Sequence, residues 1–255
     1  MNKGIQKNLL KILSFTIVFI AVLLINKKIY AKSYTIDNME IQAEIQQNGS
    51  ININQKITYN FVGNYNGIYI TIPYLLEDSQ AKEVNLETKD YSIYNGNKVT
   101  INKIIDSQNV EYIEGFYVDG AVNGGIYTVD ADKQKYKISV YSPSKNTTKT
   151  FTLNYSISNV CVKHNDVAEL YYNFIGGEWD VDIKKLNIDV VLPNNQSKEN
   201  LYAFGHGPYN GVVTIESPNK VNFKVNNVKK RTICSSKGCI CLLYTSDAAD
   251  DGIPV

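Results

Sequence analysis

Residues 39–61 read MEIQAEIQQNGSININQKITYNF. Met39, Ile41, Ala43 and Ile45 alternate with polar neighbours, and Ile51, Ile53, Ile57, Tyr59 and Phe61 resume the alternation after Asn48-Gly49. Successive side chains of a strand point to opposite faces, so a period of two marks a strand with one buried face. Asn and Gly tolerate the positive φ angles of a tight hairpin turn, so Asn-Gly between two such runs predicts a β-hairpin. Polar Gln55 alone interrupts the apolar series.

Downstream the design repeats. Residues 63–67, bounded by Gly63 and Gly67, read as a further turn, and Ile68, Ile70 and Ile72 lead to Pro73. Tyr136, Ile138 and Val140 alternate, as do Phe151, Leu153, Tyr155 and Ile157, then Leu186, Ile188, Val190 and Leu192 before Pro193. Residues 212–215 and the series Val221, Phe223 and Val225 come last. No segment of this body sustains a helical period. Many short strands with Gly, Pro and Asn turns predict an all-β fold, an antiparallel β-sandwich of immunoglobulin-like general architecture. Residues 80–130 are less regular and predict edge strands and long loops. There is no internal repeat and no low-complexity linker.

Upstream, Lys3, Lys7 and Lys11 precede the apolar run of residues 12–25, ILSFTIVFIAVLLI. The run is shorter than the roughly 20 residues a membrane-spanning helix needs, and suits the core of a signal peptide. Cleavage is expected after Ala31; Lys27 and Lys28 on the far side leave a retained anchor as the alternative. Either way, the body lies outside the cytoplasm.

Charge and cysteine content bound the rest. The chain has 26 Lys and Arg against 25 Asp and Glu. Removing the leader takes away Lys3, Lys7, Lys11, Lys27 and Lys28, leaving 21 basic groups and no basic patch for nucleic-acid phosphates. Cys161 is the sole cysteine of the body, so the fold must rest on its apolar core rather than on a disulfide framework.

Three ordered segments carry a family resemblance. The first runs from Ser33-Tyr34-Thr35-Ile36 through Asn48-Gly49-Ser50 and Ile57-Thr58-Tyr59-Asn60-Phe61 to Asn66-Gly67-Ile68-Tyr69 and Ile72-Pro73. The second runs from Asp166-Val167-Ala168-Glu169-Leu170-Tyr171-Tyr172 through Phe174-Ile175-Gly176 and Trp179-Asp180-Val181 to Leu192-Pro193. His206-Gly207-Pro208 with Gly211 is the third. Together they resemble the amino-terminal domain of a family of bacterial predicted membrane proteins, domain of unknown function 2207. The resemblance implies an extracytoplasmic domain followed by membrane-spanning helices. It departs at Asn54 and Gln55, where the family carries an acidic residue.

The end of the chain reads differently. Cys241-Leu242-Leu243-Tyr244-Thr245-Ser246-Asp247-Ala248-Ala249-Asp250-Asp251 looks like a translated sequencing-library transposon adapter. The expected organisation is therefore a signal peptide over residues 1–31, a β-sandwich over 32–228, a truncated linker over 229–240 and adapter-derived sequence over 241–255.

Candidate sites are few. Cys234, Cys239 and Cys241 lack the paired spacing of a four-ligand zinc site. His164, Asp166 and Glu169 are near neighbours in sequence and His206 could join them for acid–base chemistry, but no nucleophile–base–orienter pattern accompanies them. Asp166 organising a turn and Glu169 facing solvent is the plainer reading. Glu178, Asp180 and Asp182 alternate, which on a strand would put three carboxylates on one face, either as calcium ligands or as a solvated edge that discourages pairing. The edge is the reading taken. The 19 tyrosines could stack on sugars, although tyrosine is also a good strand residue, and Trp179 is expected to cover the core. The sequon Asn146-Thr147-Thr148 matters only where exported chains are glycosylated. No catalytic, cofactor or metal residue is assigned. The expected function is a non-enzymatic interaction or structural role on the extracytoplasmic side of the cell membrane, with envelope proteins or cell-wall glycan as partners. A carbohydrate-binding or cell-wall hydrolytic module is the alternative.

Overall fold

The computed structural model describes residues 8, 11–16, 32–73, 97–116, 125–131, 135–164, 167–176, 179–196, 200–230 and 239–245. The chain divides into two units, Met1–Ala31 and Lys32–Val255. In the first, residues 11–16 are helical, and residues 17–31, with most of the apolar run and the expected cut, lie outside the described residues. No helix among the described residues is long and apolar enough to cross a membrane.

The second unit begins with the expected hairpin. β1 (Ser33–Ile45) and β2 (Ile51–Val62) pair antiparallel from Ser33 opposite Val62 to Ile45 opposite Ile51. Asn48 Oδ1 accepts hydrogen bonds from the Ser50 N–H at 3.1 Å and the Ser50 hydroxyl at 2.7 Å, and Gly49 takes φ 76°. Ile41, Ala43, Ile51 and Ile57 are buried completely; each large side chain of this kind contributes about 1.5–3 kcal/mol.

The chain then runs into β3 (Asn64–Pro73) with Gly63 alone as the break, at φ 93°. The expected turn over residues 63–67 is thus a single residue. Gly67 belongs to β3, where a β-carbon would lie 2.0 Å from the Val140 carbonyl oxygen, so only glycine fits. β4 (Val99–Asp106), β5 (Glu111–Glu114), β6 (Ile126–Ala131), β7 (Lys135–Lys145) and β8 (Thr148–Ile157) follow. β9 (Cys161–Lys163), β10 (Val167–Asn173), β11 (Ile183–Val191), β12 (Leu201–Gly205), β13 (Val212–Ser217), β14 (Lys220–Val228) and β15 (Cys239–Thr245) complete the described strands.

Eleven of them form one sheet in the order β13-β14-β11-β1-β2-β8-β4-β5-β6-β7-β3, and four form another in the order β12-β15-β10-β9. The large sheet is mixed, not purely antiparallel as expected. β1 pairs parallel with β11 from Ile36 opposite Ile183 to Glu44 opposite Val191, and β5 pairs parallel with β6. β1 tolerates a parallel neighbour because its inward residues meet equally apolar ones, Met39 opposite Leu186 and Ala43 opposite Val190. β4, β5 and β6, expected at an edge, lie inside the sheet. Their irregular sequence reflects short pairings: β4 and β5 share only Ile104 opposite Tyr112 and Ile105 opposite Glu111.

One buried cluster takes residues from both sheets, including Met39, Phe151, Leu153, Ile188, Leu170 and Leu242. Gln55 enters it with neutral partners: its amide donates to Met39 Sδ at 3.7 Å and accepts from the Tyr155 hydroxyl at 3.3 Å.

Candidate functional site

β12 and β13 each end a sheet, so each leaves one row of backbone groups unpaired by a neighbouring strand. Leu201 anchors β12 in the core, while Tyr202 and Phe204 are exposed. Gly205 lets the end of β12 lie against the large sheet; a β-carbon there would be 3.1 Å from Val213 Cγ2 and 3.5 Å from Phe223 Cδ1. Residues 206–211 then form a tied turn. The Gly211 N–H donates to the Pro208 carbonyl at 2.9 Å, and the Asn210 side-chain amide donates to the Asn226 carbonyl at 2.6 Å. The turn leaves Tyr209 wholly in solvent, at 106% exposure. Val212, Val213 and Ile215 of β13 are exposed as well, although residues 212–215 were expected to be an ordinary half-buried strand. An edge strand has no neighbour on one side to cover either face. Val212-Val213 breaks the alternation, and that was the readable signal.

Lysines flank this apolar edge. Val212 pairs with Lys224, and Lys185 lies across from Asn226 two residues along the same face of the sheet. Two acids at this end are engaged: Lys184 Nζ is 2.6 Å from Asp37, and Lys229 Nζ is 2.9 Å from Asp182.

The sequence-derived candidates disperse or resolve into structural roles. His164 Nε2 lies 3.1 Å from Glu169 Oε2, so Glu169 is largely covered and does not face solvent freely. The Cys241 thiol donates to the other carboxylate oxygen at 3.6 Å. A thiol facing a carboxylate rather than an imidazole is the reverse of the arrangement that makes a thiolate nucleophile. His206 makes no hydrogen bond to either side chain; its ring sits 6.3 Å from that of Tyr171. Asp166, Glu178 and Cys234 lie outside the described residues.

Asp180 and Asp182 are in a loop and not on one strand face. Asp180 accepts a hydrogen bond from the Tyr69 hydroxyl; burial first, then this bond, raise the Tyr69 phenol above its usual range. Asp182 accepts from the Lys230 backbone N–H at 2.8 Å and from Lys229 at 2.9 Å, and these bonds hold its carboxyl below the usual range. The two described carboxylates therefore do not share a strand face and are each already hydrogen-bonded. Trp179 packs against the core but stays partly exposed. No group of three His, Cys, Asp or Glu among the described residues could hold a metal ion. Burial pushes the Cys161 thiol up to about 12, so it is not a reactive group.

Reading the sequence missed one polar cluster. Lys149 Nζ lies 2.7 Å from Asp106 Oδ2 and donates to Ser142 Oγ at 2.8 Å. The Tyr112 hydroxyl sits 2.7 Å from Asp106 Oδ2 and 2.8 Å from Ser142 Oγ. A serine beside a lysine invites a hydrolytic reading, but Ser142 is 2% exposed and the ammonium is bound to Asp106. The cluster pins β4, β5, β7 and β8 together. Burial raises the Asp106 carboxyl, but hydrogen bonds from Lys149, Tyr112, Val110 N–H and Gln108 N–H outweigh it and hold the group below the usual carboxylate range. Lys149 falls in step with Phe151, Leu153 and Tyr155, an inward position that its charge disguised. An open cleft of about 710 Å³ between the β1–β2 turn and residues 191–193 is lined mainly by Gln46, Gln47, Asn48 and Asn52, with Glu44 the lone carboxylate among them.

Among curated proteins, none matches the chain in sequence. Of solved structures, leukotriene A4 hydrolase from Saccharomyces cerevisiae superposes with a TM-score of 0.44 at 5% identity, over 84% of this chain and 29% of that one. The M1 zinc metallopeptidase from Deinococcus radiodurans gives 0.40 at 9% identity, over 84% of this chain and 42% of that one. The chain thus spans less than half the length of either, and likenesses this loose decide nothing about its chemistry. Residues 35–236 match the amino-terminal domain of the family described as "Predicted membrane protein (DUF2207)", a span holding nearly all of β1 and every strand through β14, and the chain belongs to that family.

Proposed function

We propose that residues 32–228 form an extracytoplasmic, non-enzymatic interaction domain of a bacterial envelope membrane protein, an immunoglobulin-like β-sandwich exported behind the leader of residues 1–31. The observation that carries this reading is the exposed apolar edge of Tyr202, Phe204, Tyr209, Val212, Val213 and Ile215. Val213 and Ile215 share one face of β13 and Val212 lies on the other beside Lys224, so this edge presents apolar groups to solvent on both faces, the kind of surface that marks an interaction site. The competing readings have less support. His164 and Glu169 meet without His206. Tyr34 packs at 46° to Tyr59 and at 84° to Tyr65, and the stacked Tyr59–Phe61 pair is buried, so this cluster does not offer a flat exposed platform for sugar.

Labelling intact cells with a membrane-impermeant amine reagent tests the location. Exposed lysines such as Lys56 and Lys98 should be modified before lysis. Modification only after lysis overturns the extracytoplasmic reading. Amino-terminal sequencing should begin at Lys32, and an intact Met1 refutes cleavage.

A further inference from the structure

We infer that the end of the large sheet bearing Tyr209, Val212 and Lys224 is a peripheral contact with a lipid bilayer carrying anionic headgroups. The inference rests on the interaction reading above and names its partner. Three observations favour a bilayer over a protein.

The aromatic tip comes first. Tyr209 is fully exposed on a turn held by two hydrogen bonds, so it is fixed in solvent and not merely loose there. A tyrosine has an apolar ring and a polar hydroxyl, the combination favoured at headgroup depth. Protein interfaces instead place their aromatic anchors in well-packed pockets, whereas Tyr209 stands wholly in solvent.

Charge comes second. Among the described residues, Lys185 and Lys224 are exposed and form no salt bridge, whereas Asp37 and Asp182 nearby are already neutralised; Glu40, two strands in from Lys224 along the same row, is the one exposed carboxylate facing them. At the other end of β14, Lys220 is paired with Asp189 and Glu216, so the excess of positive charge is local to the Tyr209 end. Apolar side chains ringed by lysine suit an anionic lipid surface, where each lysine adds about fivefold to binding. Third, the family is one of membrane proteins, so a bilayer is within reach of the domain.

Vesicle cosedimentation with the chain Lys32–Val255 tests this. Every buried core residue among those described lies in that unit, so it keeps its fold without the leader, whose apolar run would itself bind lipid. Vesicles of phosphatidylglycerol and phosphatidylcholine should bind the protein, vesicles of phosphatidylcholine alone should bind it far less, and salt should weaken the former. Lys185→Glu with Lys224→Glu should lower binding by at least about 25-fold, two lysines at about fivefold each. Tyr209→Ser with Val212→Ser should weaken binding while leaving its salt dependence intact, and Lys56→Glu on β2 should change nothing. These are exposed positions, so the variants should fold. Equal binding to both vesicle types, or variants that bind like the parent, overturns the inference. So does self-association in sedimentation that the Tyr209 and Val212 changes abolish without any vesicle binding. The amine-labelling result stands or falls separately.

Discussion

Leu153 and Leu242 are both completely buried, yet they sit in sheets held together differently. Leu153 is on β8, flanked by β2 and β4 over ten and seven paired positions, with Lys149 of the same strand paired to Asp106 of β4. Leu242 is on β15, which meets β10 over seven positions and β12 over five, and β12 pairs with no other described strand. β15 fits by backbone pairing and two inward side chains, Leu242 opposite Leu170 and Ala203, and Tyr244 opposite Ala168 and Leu201. One strand is keyed into its sheet by charge and shape. The other asks of its occupant only apolar groups at alternate positions.

Breaking the key should have the largest effect. Lys149→Met leaves Asp106 buried without its counter-charge and should cost about 3–5 kcal/mol in denaturant unfolding. Lys149→Met combined with Asp106→Asn should recover part of that loss, because the uncompensated charge is then gone. Acid tests the same pair. A carboxyl held below its unfolded value adds stability that is complete above a pH of about 4 and is lost as pH falls through the folded value. The parent should therefore weaken on acidification below about pH 4, and Asp106→Asn should flatten that slope. An unchanged slope would mean that the pair contributes nothing through its charge.

The two leucines sharpen the contrast further. Leu153→Ala should cost about 2–5 kcal/mol, the usual penalty for a buried leucine, and should lower the global unfolding midpoint. Leu242→Ala should instead loosen the small sheet locally: faster amide exchange in β10 and β12, with a loss of no more than about 1 kcal/mol globally. Equal losses at the two sites would show a single cooperative unit and would erase the distinction. The origin of β15 bears on this as well. We propose that residues 241–255 are adapter-derived, in which case β15 occupies a slot it did not evolve with. Resequencing the locus decides the matter, and recovery of the codons for residues 241–255 from clean genomic DNA makes β15 native.

What the sequence displayed of this fold was its local part. Residues 39–61 pair as their alternation and Asn48-Gly49 imply, because a hairpin closes its register within a few residues of chain. The β1–β11 neighbourhood was hidden, since Ile36 and Ile183 are brought together only by everything that folds between them. Parallel or antiparallel, their apolar patterns look alike. Lys149 was hidden by its charge and β4 to β6 by their shortness. At the surface, His206-Gly207-Pro208 and Gly211 stood out as a motif, but that the turn would hold Tyr209 outward depended on Asn210 reaching β14. Trp179 lies between these cases. It packs on the core as expected but keeps some exposure, so Trp179→Ala should cost about 2 kcal/mol, below the range for a fully buried aromatic.

The smallest expected effect belongs to Glu169, one of the acid–base candidates that the sequence brought together. On β10 it alternates with Ala168 and Leu170, which are fully buried, and so it points away from the core. There it meets His164 at 3.1 Å and Cys241 at 3.6 Å, and both side chains of the His–Glu pair keep some contact with solvent. Partly exposed ion pairs contribute up to about 1 kcal/mol, and Glu169→Gln keeps the shape and an acceptor oxygen for the imidazole. The expected loss is therefore no more than about 0.5–1 kcal/mol in denaturant unfolding, well below either Lys149→Met or Leu153→Ala. The variant should also bind vesicles like its parent, since β10 lies inside the small sheet and takes no part in the β12–β13 edge. A loss above about 2 kcal/mol would place Glu169 in a buried network comparable to that of Asp106. A Glu169→Gln protein that folds normally but forfeits a measurable hydrolytic activity would overturn the non-enzymatic reading of the domain altogether.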